Sequence, residues 1–212
     1  MKNILLHGLG QKSSSWEDVI QVMSNKQDII CLDLSKLLYN IEPCYSNLYY
    51  AFERYCEQFK EPFNLCGLSL GGVLALNYAI MNSKKINSLV LIGTQVSMPK
   101  NIIKFQNIIF KLMPNLVFYK LGFNKSDFIN LSKSMMNLDF SNDLKKINCP
   151  TLILCGEKDK INKPASILLK ERIQNAEFST IYNSGHEVNV CNPVELGKKL
   201  DKFFSNNKTD NL

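Results

Sequence analysis

Short apolar runs alternate with longer amphipathic stretches along most of the chain. The apolar runs predict six β-strands, at residues 3–6, 28–32, 63–66, 88–92, 151–155 and 178–182. Apolar residues at helical spacing predict five helices, at about 14–24, 46–59, 70–83, 164–174 and 193–205. Because the strands lack apolar–polar alternation and are separated by helices, the pattern predicts a parallel sheet with helices on both faces.

One region interrupts this alternation. Residues 93–150 contain no clear strand, although their apolar residues recur at helical spacing. A crossover built from one helix needs only about a dozen residues, so most of this region is surplus. The surplus predicts a helical cap at residues 97–142, inserted into a core of residues 1–96 and 143–212. Such an insertion lies outside the carboxyl ends of the strands, where parallel sheets bind ligands.

Composition excludes several classes of protein. The chain has 212 residues, 45% hydrophobic and 21% charged, which predicts one ordinary domain and excludes a disordered chain. A membrane span is excluded because no run of about 18 apolar residues occurs. Three apolar residues near the start, Ile4, Leu5 and Leu6, are too few for the core of a signal peptide. Seven cysteines, an odd number without paired spacing, indicate reduced thiols and a cytoplasmic protein.

The charge pattern bears on possible partners. The formal net charge is +6, but the lysines are scattered and arginine occurs only at positions 54 and 172, so no nucleic-acid partner is expected. In the predicted cap, lysines at 100, 104, 111, 120 and 125 stand without an acidic residue among them. These lysines can be simply solvated, can attract an anionic substrate or carrier to an acyl pocket, or can touch a membrane surface. We expect no stable membrane association.

The segment Gly67-Leu68-Ser69-Leu70-Gly71 carries the first chemical signal. It follows an apolar strand and precedes an apolar helix, the context in which a G-x-S-x-G pattern forms a nucleophile elbow. The turn must be sharp for the Ser69 hydroxyl to point out of the sheet edge, and side chains in place of Gly67 or Gly71 would collide with backbone. The following helix offers N–H groups to a developing anion. The alternative is a turn serine without chemistry.

A serine hydroxyl is a weak nucleophile until a base takes its proton. The chain has two histidines, His7 and His186, and His186 follows the last predicted strand in a loop that can reach over the sheet edge. A carboxylate is needed to orient the imidazole. Asp159 follows another strand and precedes His186 by 27 residues, enough for one helix and one strand. We expect Asp159 to fill this role, with Glu157 as its rival.

Four motifs together resemble those of the α/β-hydrolase superfamily, in its small, capped, carboxylesterase-like branch. His7-Gly8-Leu9-Gly10, followed by Trp16, is similar to the first sheet-edge loop of that family. The segments around Ser69, Asp159 and His186 are similar to its nucleophile, acid and base loops, in the same chain order. The resemblance covers nearly the whole chain. It implies an α/β-hydrolase fold with a mostly parallel sheet, helices on both faces and a short helical cap.

The resemblance also implies an oxyanion hole made by the backbone N–H groups of Leu9 and Leu70. For Leu70 the same assignment follows from geometry, since the residue after the nucleophile opens the helix. In the oxyanion loop, which contains His7 and Gly8, we expect His7 to hold its own turn by hydrogen bonds rather than to act as a second base.

The chain departs from the family pattern in two places. After the second predicted strand it reads Asp33-Leu34-Ser35-Lys36, where the family usually has D-x-P-G-x-G-x-S, which weakens any analogy about substrate. It also begins at the strand that precedes the oxyanion loop, so the usual first two strands of the family are expected to be absent. A sheet of about six strands follows, whose first edge is either exposed or covered by a helix or a partner.

These residues predict a serine hydrolase that cleaves a carboxylic ester or thioester through a Ser-His-Asp triad and an acyl-enzyme. The same fold and triad can also serve C–C cleavage, elimination or acyl transfer, and a binding module without catalysis is a third hypothesis. The expected partner is a small acyl ester or thioester. No metal is expected because histidines are few, and no cofactor because a dinucleotide fingerprint is missing from the sequence.

Overall fold

A computed structural model describes residues 1–120 and 123–207; residues 121–122 of the predicted cap and 208–212 of the predicted core lie outside this description. Six parallel strands form one sheet in the order β2-β1-β3-β4-β5-β6. Their bounds are β1 Asn3–Leu6, β2 Ile29–Leu32, β3 Phe63–Leu68, β4 Ile86–Ile92, β5 Thr151–Gly156 and β6 Ala176–Ile181. The predicted parallel six-stranded sheet is therefore confirmed.

Helices connect the strands. They are α1 Glu17–Val22, α2 Leu34–Leu37, α3 Tyr45–Cys56, α4 Leu70–Met81, α5 Lys100–Leu112, α6 Asn115–Lys120, α7 Lys125–Ser134, α8 Lys163–Arg172, α9 Val188–Cys191 and α10 Pro193–Asn206. The single helix predicted at 14–24 is instead a 3₁₀ turn, Ser13–Trp16, followed by α1. The four-residue helices α2 and α9 were not predicted, because one turn is too short to show a helical period. Asp33 caps α2 by accepting a hydrogen bond from the Ser35 N–H.

The sheet separates two apolar layers. Alternate side chains of β1 enter opposite layers: Ile4 and Leu6 join one cluster, and Leu5 joins the other. The first cluster includes apolar residues of α3, α4 and α8, and the second includes those of α1 and α10. Both faces of every central strand are therefore buried, which explains why these strands read as continuous apolar runs. Helices on both faces of the sheet are confirmed.

Residues 97–142, here called the β4–β5 segment, contain α5, α6 and α7. An isolated antiparallel bridge between Ser97 and Asp139 joins the two ends of the segment. Four phenylalanine rings pack edge to face inside it: Phe110, Phe118, Phe123 and Phe128. The Tyr45 N–H donates a hydrogen bond of 2.8 Å to the Ser134 hydroxyl, which ties α7 to α3 of the sheet layer. The segment is therefore packed internally and attached to the helices that cover the sheet.

Two further observations concern the helices and the cysteines. Within residues 1–120 and 123–207, no helix is long and apolar enough to cross a membrane. All seven cysteines lie in these ranges and are free thiols. Cys191, at the end of α9, is the exposed one among them, whereas Cys56, Cys66 and Cys155 are buried.

Candidate active site

The predicted site residues collect at the carboxyl edge of the sheet. Ser69 follows β3, and the loop that begins with His7 follows β1. Asp159 follows β5, and His186 lies between β6 and α9. Because β1, β3, β5 and β6 run parallel, the turns after them open on the same side.

Ser69 occupies a strained turn between β3 and α4. Its backbone angles are φ 54° and ψ −113°, a combination that residues other than glycine rarely adopt. The turn is held because the Ser69 N–H donates a hydrogen bond of 2.9 Å to the Ile92 carbonyl of β4. A Cβ on Gly67 would overlap the carbonyl of Gly71, and one on Gly71 would overlap the carbonyl of Leu6. Only glycine fits at these two positions.

His186 and Asp159 form a close pair. The His186 Nδ1 lies 2.7 Å from Oδ2 of Asp159, whose side chain is only 4% exposed, whereas the imidazole is 38% exposed. A carboxylate accepts, so Nδ1 carries the proton and Nε2 is left as the basic nitrogen. Gly93, at φ 53°, leaves room for the ring, because a Cβ on it would lie 3.0 Å from the His186 Cε1.

Asn162 is a further member of this cluster. Its Nδ2 lies 2.8 Å from Oδ1 and 2.9 Å from Oδ2 of Asp159, and its Oδ1 accepts a hydrogen bond of 2.7 Å from Gln95. Burial alone would raise the pKa of the Asp159 carboxyl, but the hydrogen bonds from His186 and Asn162 outweigh burial and lower that pKa below its usual value. The carboxylate is therefore charged and fixed in orientation. The position of Asn162 was not predicted, because no sequence pattern distinguishes it from other loop asparagines.

Glu157 does not compete for the imidazole. Its exposed side chain accepts a hydrogen bond of 2.9 Å from the Asn183 N–H. Asp159, two residues farther along the chain, is the carboxylate that contacts His186. The turn after β5, in which the Asp159 N–H bonds to the Gly156 carbonyl, directs the later carboxylate inward.

Ser69 and His186 line one cavity of about 390 Å³, together with Leu9, Leu70 and Asp159. In the described part of the chain, no hydrogen bond within 3.5 Å joins the Ser69 hydroxyl to the imidazole. Hydroxyl–imidazole contacts are often long before substrate binds and shorten in the reacting complex. The structure thus brings Ser69, His186 and Asp159, the predicted nucleophile, base and acid, to one cavity, with the contact between His186 and Asp159 already made.

The loop after β1 brings backbone to the same cavity. A Cβ on Gly8 would lie 3.5 Å from the Ser69 Cβ, and the next residue, Leu9, lines the cavity. The Leu70 N–H belongs to the first residue of α4, so it has no acceptor within its own helix.

His7 is held at both ring nitrogens. Its Nδ1 lies 2.8 Å from the Gly8 carbonyl, and its Nε2 accepts a hydrogen bond of 3.0 Å from the Leu34 N–H. This pattern requires the neutral ring with the proton on Nδ1. Burial lowers the pKa of His7 in spite of the Gly8 carbonyl and Asp33, which favour the charged form. His7 therefore links the β1 loop to α2 and has no nitrogen left for a proton transfer.

A buried amide pair connects the β1 loop to the His186 loop. The Gln11 Nε2 donates to Glu187 at 3.0 Å and to Asn189 Oδ1 at 3.1 Å. In return, the Asn189 Nδ2 donates to the Gln11 Oε1, which also accepts from the Gly8 N–H at 3.3 Å. The loop that contains Leu9 and the loop that contains His186 are therefore fixed relative to each other. Neither Gln11 nor Asn189 was predicted from the sequence.

The β4–β5 segment supplies the apolar wall of the cavity. The lining residues from this segment are Met98, Pro99, Ile102, Ile103, Phe105, Gln106, Ile109, Ser132 and Met135. Among residues 1–118 and 123–207, whose side chains are described, the cavity lining includes no lysine. The cavity therefore has the apolar wall that an acyl pocket needs, without a lysine contact from these residues. No group of three His, Cys, Asp or Glu side chains in those ranges is arranged to hold a metal ion.

Known proteins resemble this chain in sequence and in fold. Residues 4–142 match the family model for the alpha/beta hydrolase fold. The pimeloyl-[acyl-carrier protein] methyl ester esterase of Wigglesworthia glossinidia brevipalpis is 26% identical, over 95% of this chain and 92% of that protein. Monoacylglycerol lipase ABHD6 of Homo sapiens is 20% identical, over 98% of this chain and 77% of that protein.

Solved structures show the same fold. An esterase from Thermogutta terrifontis superposes with a TM-score of 0.81 at 17% identity, over 99% of this chain and 91% of that chain. MenH from S. aureus superposes with a TM-score of 0.73 at 17% identity, over 98% of this chain and 95% of that chain. The resemblance drawn from the sequence motifs is confirmed: the chain belongs to the α/β-hydrolase family.

Proposed function

We propose that this protein is a serine hydrolase that cleaves carboxylic esters or thioesters through Ser69, His186 and Asp159. The observation that carries the proposal is the 2.7 Å contact between His186 and Asp159, in the cavity that the strained Ser69 also lines. Relatives that match most of the chain are named as an esterase and a lipase, which supports this class of reaction.

The proposed reaction has two halves. Nε2 of His186 takes the Ser69 proton as Oγ attacks the acyl carbon, and the Asp159 carboxylate stabilises the imidazolium. The N–H groups of Leu9 and Leu70 hold the oxyanion, a contribution on the order of 3 kcal/mol per donor. Return of the proton to the leaving alcohol or thiol gives the acyl-enzyme. Water then attacks the acyl-enzyme, with His186 again as the base, and releases the acid and Ser69.

We further propose that the β4–β5 segment is a cap on a core of residues 1–96 and 143–212. The cavity lies between this segment and the carboxyl edge of the sheet, and its wall from α5 is largely apolar. An apolar wall without a charged side chain suits an uncharged acyl chain, because a charged group there would lose hydration without a partner. The free cysteines support a cytoplasmic location.

Covalent labelling tests the nucleophile. A fluorophosphonate probe should label the parent protein, and Ser69→Ala should abolish labelling while the melting temperature changes little. Ser132→Ala is a matched control, because Ser132 is a second serine of the cavity lining. Labelling of Ser69→Ala at the parental rate would refute the assignment.

Ester turnover separates the candidate reactions. Short-chain p-nitrophenyl esters should give a burst of nitrophenol that equals the enzyme concentration, followed by steady hydrolysis. Labelling without turnover of any ester would favour C–C cleavage, elimination or acyl transfer. Ligand binding that survives Ser69→Ala, without labelling of the parent, would favour a binding module.

A further inference from the structure

Helix α5 presents an apolar side to solvent. Five large side chains share this side and are called here the α5 stripe: Ile102, Phe105, Ile108, Ile109 and Leu112. Their exposed fractions reach 65% at Phe105 and 82% at Leu112. At about 100° per residue the stripe spans about 120° of the helix circumference. Ile103 and Asn107, on another side of the helix, are buried and attach it to the protein, so attachment does not explain the stripe.

Lysines flank the stripe along one side. Lys100, Lys104 and Lys111 are exposed, and their spacing of four and seven residues places them in one row beside Ile108. No aspartate or glutamate occurs between residues 97 and 126. A helix with an apolar side and an adjoining lysine row is typical of helices that lie in the plane of a lipid surface.

The stripe continues into the cavity of Ser69. Ile102, Phe105 and Ile109 are exposed and also line that cavity. An acyl chain that lies against the outer side of α5 therefore has an apolar path to the candidate nucleophile. Leu112 and Ile108 lie on the outer part of the stripe and do not line the cavity.

The geometry points to an interaction surface: α5 docks reversibly on an anionic lipid surface, with its stripe among the acyl chains and its lysines at the headgroups. A helix of 13 residues that attaches by one side is too small for permanent insertion, so exchange with solution is expected. The docking itself does not depend on the proposed function. Its expected consequence, the entry of a lipid ester into the cavity, does rest on the proposed function.

Two other occupants fit the stripe less well. A second copy of the chain in a symmetric dimer would place the same patch on both sides of the interface. If the two α5 helices packed antiparallel, their lysine rows would lie on the same side of the interface without an acidic residue from either α5, which is unfavourable. An acidic carrier protein would satisfy the lysines and bring an acyl chain to the cavity, but a strongly acidic surface would give Ile108 and Leu112, which lie outside the cavity, no apolar contact.

Vesicle flotation tests the docking. The full chain should float with phosphatidylglycerol vesicles at low salt, and remain behind with phosphatidylcholine vesicles. Because a lysine near an anionic surface contributes about fivefold to partitioning, Lys104→Gln with Lys111→Gln should weaken flotation about 30-fold. Ile108→Gln with Leu112→Gln should weaken it more than about tenfold. The matched control is Met81→Gln with Ile167→Gln, which removes exposed apolar side chains elsewhere and should float like the parent.

Activity in solution separates this inference from the proposed function. The Ile108→Gln, Leu112→Gln variant should hydrolyse a short p-nitrophenyl ester at the parental rate, since neither side chain lines the cavity. Ester turnover without flotation of the parent would overturn the docking and leave the hydrolase proposal standing. Parental flotation by the stripe variant would also overturn the docking. So would a parental dimer in light scattering that this variant dissociates, or lysine-dependent binding to apo acyl-carrier protein without binding to vesicles.

Discussion

The two histidines of this chain occupy comparable positions in contrasting surroundings. Each follows a strand at the carboxyl edge of the sheet, but His7 is buried and bonded at both ring nitrogens, to Gly8 and to Leu34. His186 is partly exposed and bonded to Asp159 through Nδ1, so Nε2 is available to a substrate. Of the two histidines, only His186 therefore has a ring nitrogen that is free to act as the proposed general base.

The largest expected effect comes from removing the available nitrogen. His186→Ala should lower kcat for a p-nitrophenyl ester on the order of 10⁶-fold, the scale seen when a triad histidine is lost. His7→Gln, which keeps a donor and an acceptor near the ring positions, should cost far less. Initial rates, with the enzyme concentration determined by active-site titration of the parent, give the kcat of both variants. A comparable loss in the two variants would break the contrast between the histidines.

The next largest effect is expected at Asp159, the carboxylate proposed to orient His186. Asp159→Asn should lower kcat about 10⁴-fold, because an amide that donates to Nδ1 selects the wrong imidazole tautomer. Glu157→Gln is the matched control and should remain near the parental rate, since Glu157 contacts the Asn183 N–H instead. The ratio of the two kcat values measures the preference for Asp159. A larger loss in Glu157→Gln would reverse the assignment.

A smaller effect should follow from separating the two loops. Gln11→Ala removes the contacts to Asn189 and Glu187 that join the Leu9 loop to the His186 loop. We expect kcat to fall about tenfold with KM nearly unchanged, because small misplacements of catalytic groups act on the transition state. Gln58→Ala, an exposed glutamine, serves as control. A change confined to the melting temperature would show that the contacts only stabilise the fold.

The smallest effect is on stability and its pH dependence. Burial holds the pKa of His7 in the folded chain below its usual value of about 6.5. The unfolded chain then binds the proton more readily, so the free energy of unfolding is undiminished above about pH 6.5 and falls as the pH drops below it. His7→Gln should remove this part of the acid sensitivity. Urea unfolding at several pH values measures the free energy of unfolding of both proteins. If that free energy depended on pH equally in His7→Gln and in the parent, the neutral, buried state of His7 would be contradicted.

Most of the fold could be predicted because strands that are buried on both faces appear in the sequence as continuous apolar runs. Side chains of β1 enter both apolar layers, so the strand reads as a continuous apolar run, and its predicted and observed bounds coincide at residues 3–6. Strand β3 extends two residues beyond its predicted end, through Gly67 to Leu68, because glycine hides the strand character of that turn.

Members of the candidate site could be predicted where a local motif or a rare residue type identifies them. Ser69 lies in a motif, and because the chain has two histidines, the sequence indicated His186 as the candidate base. Asn162 and Gln11 escaped because their roles exist only in the folded chain: Gln11 meets Asn189 across 178 positions of sequence. A local sequence pattern cannot predict such a contact, since the sequence around an amide that bonds to a distant residue does not differ from that around any other amide.

Cys191 gives this molecule a built-in position for a reporter. It is exposed five positions after His186, whereas burial raises the pKa of Cys31 and of Cys56 to about 12. Near neutral pH those two sulfurs remain thiols and resist alkylation, so a maleimide dye should attach at Cys191 in preference to Cys31 and Cys56. A fluorophore there would report on the surroundings of the neighbouring His186 loop, for instance when a substrate enters the cavity.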